Sequence, residues 1–147
     1  MLYFAYGSNL NHKQMAQRCK GSSFIKKFSL KGFNLCFSHK TARSIYGHAN
    51  VVKNINFNVP GAIWSISKQD EKELDGYEGV DYNYYQKEYF TLKGKKVLVY
   101  IQNIYYLKKP NSTYLHTIID GYKDCFLDLK KLKKIISNYK ITYKIIW

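Results

Sequence analysis

The chain has 147 residues, 46% of them hydrophobic and 17% aromatic, enough for one domain with a real core and too apolar for a disordered chain. Its 24 basic and 10 acidic residues give a formal charge of +14, which raises nucleic acid or an anionic surface as a partner. Yet Arg18 and Arg43 are the only arginines, whereas specific phosphate and base recognition leans on arginine; codon bias, which also enriches Ile, Asn and Tyr, accounts better for the charge, and no specific nucleic-acid partner is expected.

In chain order, Leu2 to Tyr6 reads as an apolar, aromatic strand that stops at the turn Tyr6-Gly7-Ser8-Asn9. Ser8 and Asn9 are placed to cap a helix over Asn11–Cys19. Phe24 to Ser38 reads as two short strands, or one bent strand around Gly32. The polar stretch His39 to Phe57 lacks clear periodicity and reads as a long loop near the site. Val59 to Ile66 is a strand entered through Pro60-Gly61, and Ser67-Lys68-Gln69-Asp70 has the form of a capping box, opening a helix that ends between Gly76 and Gly79. Tyr84 to Leu92 and Val97 to Asn103 form a hairpin through Lys93-Gly94-Lys95. Past Pro110, Asn111 or Ser112 caps a helix reaching Lys123. Leu127, Leu129, Leu132, Ile135 and Ile136 give a last helix one apolar face, with Lys130, Lys131, Lys133 and Lys134 solvated, and the tail Tyr143 to Trp147 is apolar enough to dock. Hairpin-like strand links make a single α+β domain with a closed or nearly closed sheet the expected fold.

Two stretches carry chemistry. A strand, a glycine turn and a helix start together present backbone N–H groups to open space, able to hold a carboxylate or an oxyanion. Gly7 is expected to use positive φ and to leave room for a ligand. In Leu74-Asp75-Gly76-Tyr77-Glu78-Gly79-Val80, Asp75 and Glu78 are three apart and able to share a helical face. A helix C-terminus and burial among Tyr77, Tyr82, Tyr84 and Tyr85 would both raise the Glu78 pKa toward neutrality, as an acid–base catalyst needs. Taken alone, this motif reads better as a solvent-exposed glutamate at a helix end.

Cys19, Cys36 and Cys125 are scattered and expected to be reduced, and none has a recognisable base partner. His12, His39, His48 and His116 lack ligand spacing, so no metal is expected. No run has the length of a membrane span, and the chain enters its first strand without a signal-peptide pattern, so a cytoplasmic protein without membrane contact is expected. Without a heptad pattern the expected state is a monomer or a weak homodimer.

Together these stretches resemble the gamma-glutamyl cyclotransferase family. Tyr3 to Leu10 is similar to its N-terminal substrate loop, Gly61-Ala62-Ile63-Trp64 with Ile66-Ser67 to the strand before its Leu-Asp-x-x-Glu-Gly-Val signature, and Leu74 to Val80 to that signature. Ile118, Ile119 and Gly121 resemble the continuation of its later helix; Pro110-Asn111-Ser112-Thr113-Tyr114 departs from the frequent Pro-Ser-x-x-Tyr by an Asn. The resemblance implies a small mixed, mostly antiparallel β-barrel flanked by helices, no cofactor, and a small-molecule gamma-glutamyl amide as substrate. It implies that Glu78 is catalytic, that Tyr3, Phe4, Ala5, Tyr6, Gly7, Ser8 and Tyr114 bind substrate, and that Asn9, Tyr85 and Tyr100 support them. The reaction implied is attack of the substrate's α-amine on its own γ-carbonyl, giving 5-oxoproline and a free amine. The alternatives are a related enzyme acting on a gamma-glutamylamine or a protected biosynthetic intermediate, a family member that binds without turnover, and a basic barrel that stacks single-stranded nucleic acid on its tyrosines.

Overall fold

The computed structural model describes all residues 1–147. The first strand, β1 (Leu2–Ala5), is buried among other strands, as its composition requires. It gives way through a 3-10 turn at Ser8–Leu10 to helix α1 (His12–Arg18). The cap is Asn11, whose side chain accepts from Gln14 N, and not Ser8 or Asn9, which the tighter turn consumes.

The next strands correct the expected loop. β2 (Ser23–His39) is one bent strand, and β3 (His48–Ser65) runs back along it, so only residues 40–47 connect them. His48–Lys53 is strand despite Asn50 because pairing with β2 supplies the ladder, and strand propensity follows such context; residues 54–57 bulge out between the Lys53 and Asn58 pairings, opposite Gly32. Pro60 sits inside β3, not at its entrance. β1 pairs only from Ala62 to Ser65, so Pro60 lies where β3 has an open edge on that side.

The capping box forms as expected: Ser67 Oγ accepts from Asp70 N at 3.0 Å, and the Asp70 carboxylate accepts from Ser67 N at 2.9 Å. Helix α2 (Lys68–Tyr77) ends with Glu78 at its C-cap, and Gly79 takes the left-handed φ of 62° that turns the chain away. β4 (Gln86–Leu92) and β5 (Lys95–Ile101) form the hairpin, and a two-residue strand, β6 (Tyr106–Leu107), missed in the sequence, adds to the end of β2. Asn111 caps α3 (Ser112–Asp124), and Asp128 caps α4 (Leu129–Ile136), which buries Leu132 and Ile136 and leaves its lysines exposed. The tail docks through Tyr143, Ile145 and Trp147, with Tyr143 OH donating to Pro110 O at 2.7 Å.

The sheet order is β4-β5-β1-β3-β2-β6, antiparallel except between β1 and β5. It curls into a half-barrel flanked by the four helices. A side chain bridges the strand ends across the curl: Asn50 of β3 accepts from Gln102 N at 2.9 Å and donates to Gln102 O at 3.0 Å, and Ser38 of β2 donates to the Gln102 side chain at 2.8 Å. All three residues are buried, so the bridge stands in for ladder bonds that no strand supplies. No helix is long and apolar enough to cross a membrane.

Candidate active site

The end of β1, the 3-10 turn, the C-cap of α2, the start of β3 and the first turn of α3 converge on a cleft of about 170 Å³. From the expected set, Tyr3, Tyr6, Gly7, Ser8, Asn9, Glu78, Tyr85, Tyr100 and Tyr114 line it. Phe4 and Ala5 do not: Phe4 points into the core against Phe28 and Phe90, and both residues are almost fully buried. They reach the cleft only by holding the strand that ends there.

Gly7 has φ −118°, so positive φ is not its reason. The reason is space: a Cβ there would stand 2.9 Å from Ala49 Cβ and 3.3 Å from Tyr114 OH. The Gly7, Ser8 and Asn9 N–H groups precede the first bond of the 3-10 turn, Leu10 N to Gly7 O, and so have no partner within it.

Glu78 is half-buried at the end of α2. Burial lifts its carboxyl from 4.5 to about 7, against the opposing pull of the Arg18 charge and the Asn9 hydrogen bond. Asn9 Nδ2 donates to Glu78 Oε1 at 3.2 Å and to Tyr3 OH at 3.0 Å. Asp75 does not join Glu78. It accepts from Tyr100 OH at 2.7 Å and pairs with Lys87 at 3.0 Å, holding the Tyr100 phenol from below. Tyr77 and Tyr82 are mostly exposed, so the burial expected from them comes from other tyrosines.

The tyrosines divide by where their single proton goes. Tyr6 OH donates to Tyr100 O, Tyr85 OH to Ala49 O, and Tyr100 OH to Asp75, so these three brace the walls. Tyr114 OH accepts from Ala49 N at 2.9 Å and Tyr3 OH accepts from Asn9, which leaves each with a proton for the cleft. Burial raises all five phenols above their ordinary range, so they are neutral donors.

A family profile described as Gamma-glutamyl cyclotransferase, AIG2-like, matches residues 3–122. The chain belongs to this family. The human protein named Gamma-glutamylcyclotransferase is 31% identical over 93% of this chain and 79% of its own length, and the Bos taurus protein of that name is 30% identical over 97% and 81%. A solved structure of a protein named Gamma-glutamyl cyclotransferase superposes with a TM-score of 0.81 at 27% identity, covering 99% of this chain and 93% of that one.

Beyond the expected set, Gln14, Arg18, His48 and Ala49 also line the cleft and were missed in the sequence, while Tyr77 and Tyr84, expected only to bury Glu78, line it as well. Gln14 and Arg18 left a signal: they are four apart on one helix face, and Arg18 is one of only two arginines. His48 left none, because the pairing of β3 with β2 brings it there. Its ring meets Tyr84 OH through Nδ1, and burial, with His39 nearby, lowers its pKa below 6.5, keeping it neutral.

Proposed function

We propose that the protein cyclises gamma-glutamyl amides to 5-oxoproline, with Glu78 as its single acid–base group. The reading is supported most by a carboxylate whose pKa stands near 7, facing a loop of free N–H groups across a cleft walled by neutral phenols. The substrate's α-ammonium gives its proton to Glu78. The freed amine attacks the γ-carbonyl carbon, forming the ring C–N bond and a tetrahedral oxyanion. The old C–N bond then breaks while Glu78 returns the proton to the leaving nitrogen; the second proton of the ring nitrogen follows by way of Glu78, so the ring ends as a neutral lactam and the released amine as an ammonium. Atoms balance within the substrate, and no water is consumed.

The nucleophile is tethered to its electrophile, so positioning supplies much of the rate, up to roughly 7–11 kcal/mol in well-oriented cases. Donors aimed at the oxyanion or the substrate carboxylate supply more. The candidates are the Gly7 and Ser8 N–H groups and the unspent Tyr114 proton, which lies beside Gly7. The leaving amine is a dipeptide's amino acid, a simple amine or a conjugate.

A panel of gamma-glutamyl dipeptides and amines, assayed for released 5-oxoproline, tests the reading. Glu78→Gln keeps the shape and loses the titratable group, so turnover falls by about 100-fold or more with the fold unchanged by circular dichroism. Turnover like that of the wild type in Glu78→Gln would sink the assignment.

A further inference from the structure

Asn9 is 3% exposed, and both ends of its amide are engaged. Its oxygen accepts from Arg18 Nη1 at 3.1 Å and from Gln14 Nε2 at 3.0 Å; its nitrogen donates to Glu78 and to Tyr3. An amide turned by 180° has nearly the same shape, but would set its oxygen against the Glu78 carboxylate. Donors on the far side decide between the two. Gln14 also donates to Ser8 Oγ at 2.8 Å, so both protons of its amide hold the substrate loop. Arg18 is itself fixed, its guanidinium 4.2 Å from the ring centre of Tyr77, the residue before Glu78.

We propose that Arg18 and Gln14 are positioning residues that act through Asn9, fixing its amide nitrogen as a donor to Glu78. The proposal rests on Glu78 as the acid–base group. Arg18 is the one cation whose charge reaches that carboxyl. The other titratable groups around it are the phenols of Tyr3, Tyr6 and Tyr100 from the β1–β5 side, Tyr84 and Tyr85 from the turn after α2, Tyr114 from α3, and the Cys19 thiol after α1. His48 lines the same cleft from β3, and Asp75 on α2 is occupied by Lys87 and Tyr100.

The test is a carbon-detected titration of the Glu78 carboxyl, assigned by its loss in Glu78→Gln. It is run on the wild type, Arg18→Met, Asn9→Ala and the double variant. Arg18→Met should raise the midpoint by roughly one pH unit, and by much less in the Asn9→Ala background. Equal shifts in both backgrounds would mean that Arg18 acts by charge alone, and no shift would mean that it does not act; either result overturns the proposal. Should Asn9→Ala fail to fold, Gln14→Leu keeps every charge and should still raise the midpoint; an unmoved midpoint overturns the proposal. In the 5-oxoproline assay, a one-unit rise lowers kcat/KM of Arg18→Met about tenfold at pH 6 and little at pH 9. An equal loss at both pH values with raised KM would make Arg18 a substrate contact and overturn it. Wild-type chain that releases no 5-oxoproline from any gamma-glutamyl amide would defeat the functional reading, while the titration still decides the relay.

Discussion

Glu78 holds its proton in the folded chain at pH values where the unfolded chain has lost it, because burial lifts the carboxyl from 4.5 to about 7. Between these values the native state binds more protons, so its stability falls as the pH rises through the window. Above pH 7 the half-buried ionised carboxylate costs on the order of 3 kcal/mol. Glu78→Gln removes that cost, so its Tm should exceed that of the wild type at pH 8 and match it at pH 4. An equal Tm difference at both values would contradict a strained ionised carboxylate. The same elevation puts the acid limb of kcat/KM near pH 7, where a base needs to be half ionised. At this scale the sequence was informative about Glu78, Gly7 and Tyr114, which lie in contiguous motifs. It was silent about His48 and hinted only faintly at Arg18, because their roles arise from neighbours distant in the chain.

Asn111 shows how an element can keep a function through a changed letter. Where the family often has Ser, its Oδ1 accepts from Tyr114 N at 2.8 Å, capping α3 at the turn that carries the Tyr114 phenol. Asn111→Ser should be close to neutral, whereas Asn111→Ala should cost about 1 kcal/mol in urea denaturation. A neutral Asn111→Ala would mean that packing alone ends the helix. Local signals of this kind made the helices legible: the Ser67–Asp70 box and the Pro110–Asn111 stop both form. The first half of β3 was not legible. Its asparagines and lysine break the apolar alternation, and the strand state of His48–Lys53 comes from β2, ten or more residues back in sequence. Two-residue β6 has too short a pattern to read.

The whole molecule depends on a closure that the sequence conceals in one of those asparagines. Asn50 presents its amide to both backbone groups of Gln102 as another strand would, and joins the start of β3 to the end of β5. Asn50→Leu should leave these buried groups unpaired and lower stability by roughly 2–4 kcal/mol in urea; Asn50→Asp, which sets a buried carboxyl oxygen against the Gln102 carbonyl, should lose at least as much at neutral pH. Parity of the two variants with wild type would show that the curl closes without the bridge. Next to Asn50 stands Ala49, whose N–H donates to Tyr114 OH and whose carbonyl accepts from Tyr85 OH. Two cleft walls are thus pinned to a single residue with no functional side chain. Residues 40–47, a few positions earlier, hydrogen-bond outward to Tyr82, Lys108 and Lys109 and to none of the cleft's side chains. The chain therefore divides a fixed frame from a strap that no cleft side chain holds, so substitutions within residues 40–47 leave the moorings of Tyr85 and Tyr114 untouched.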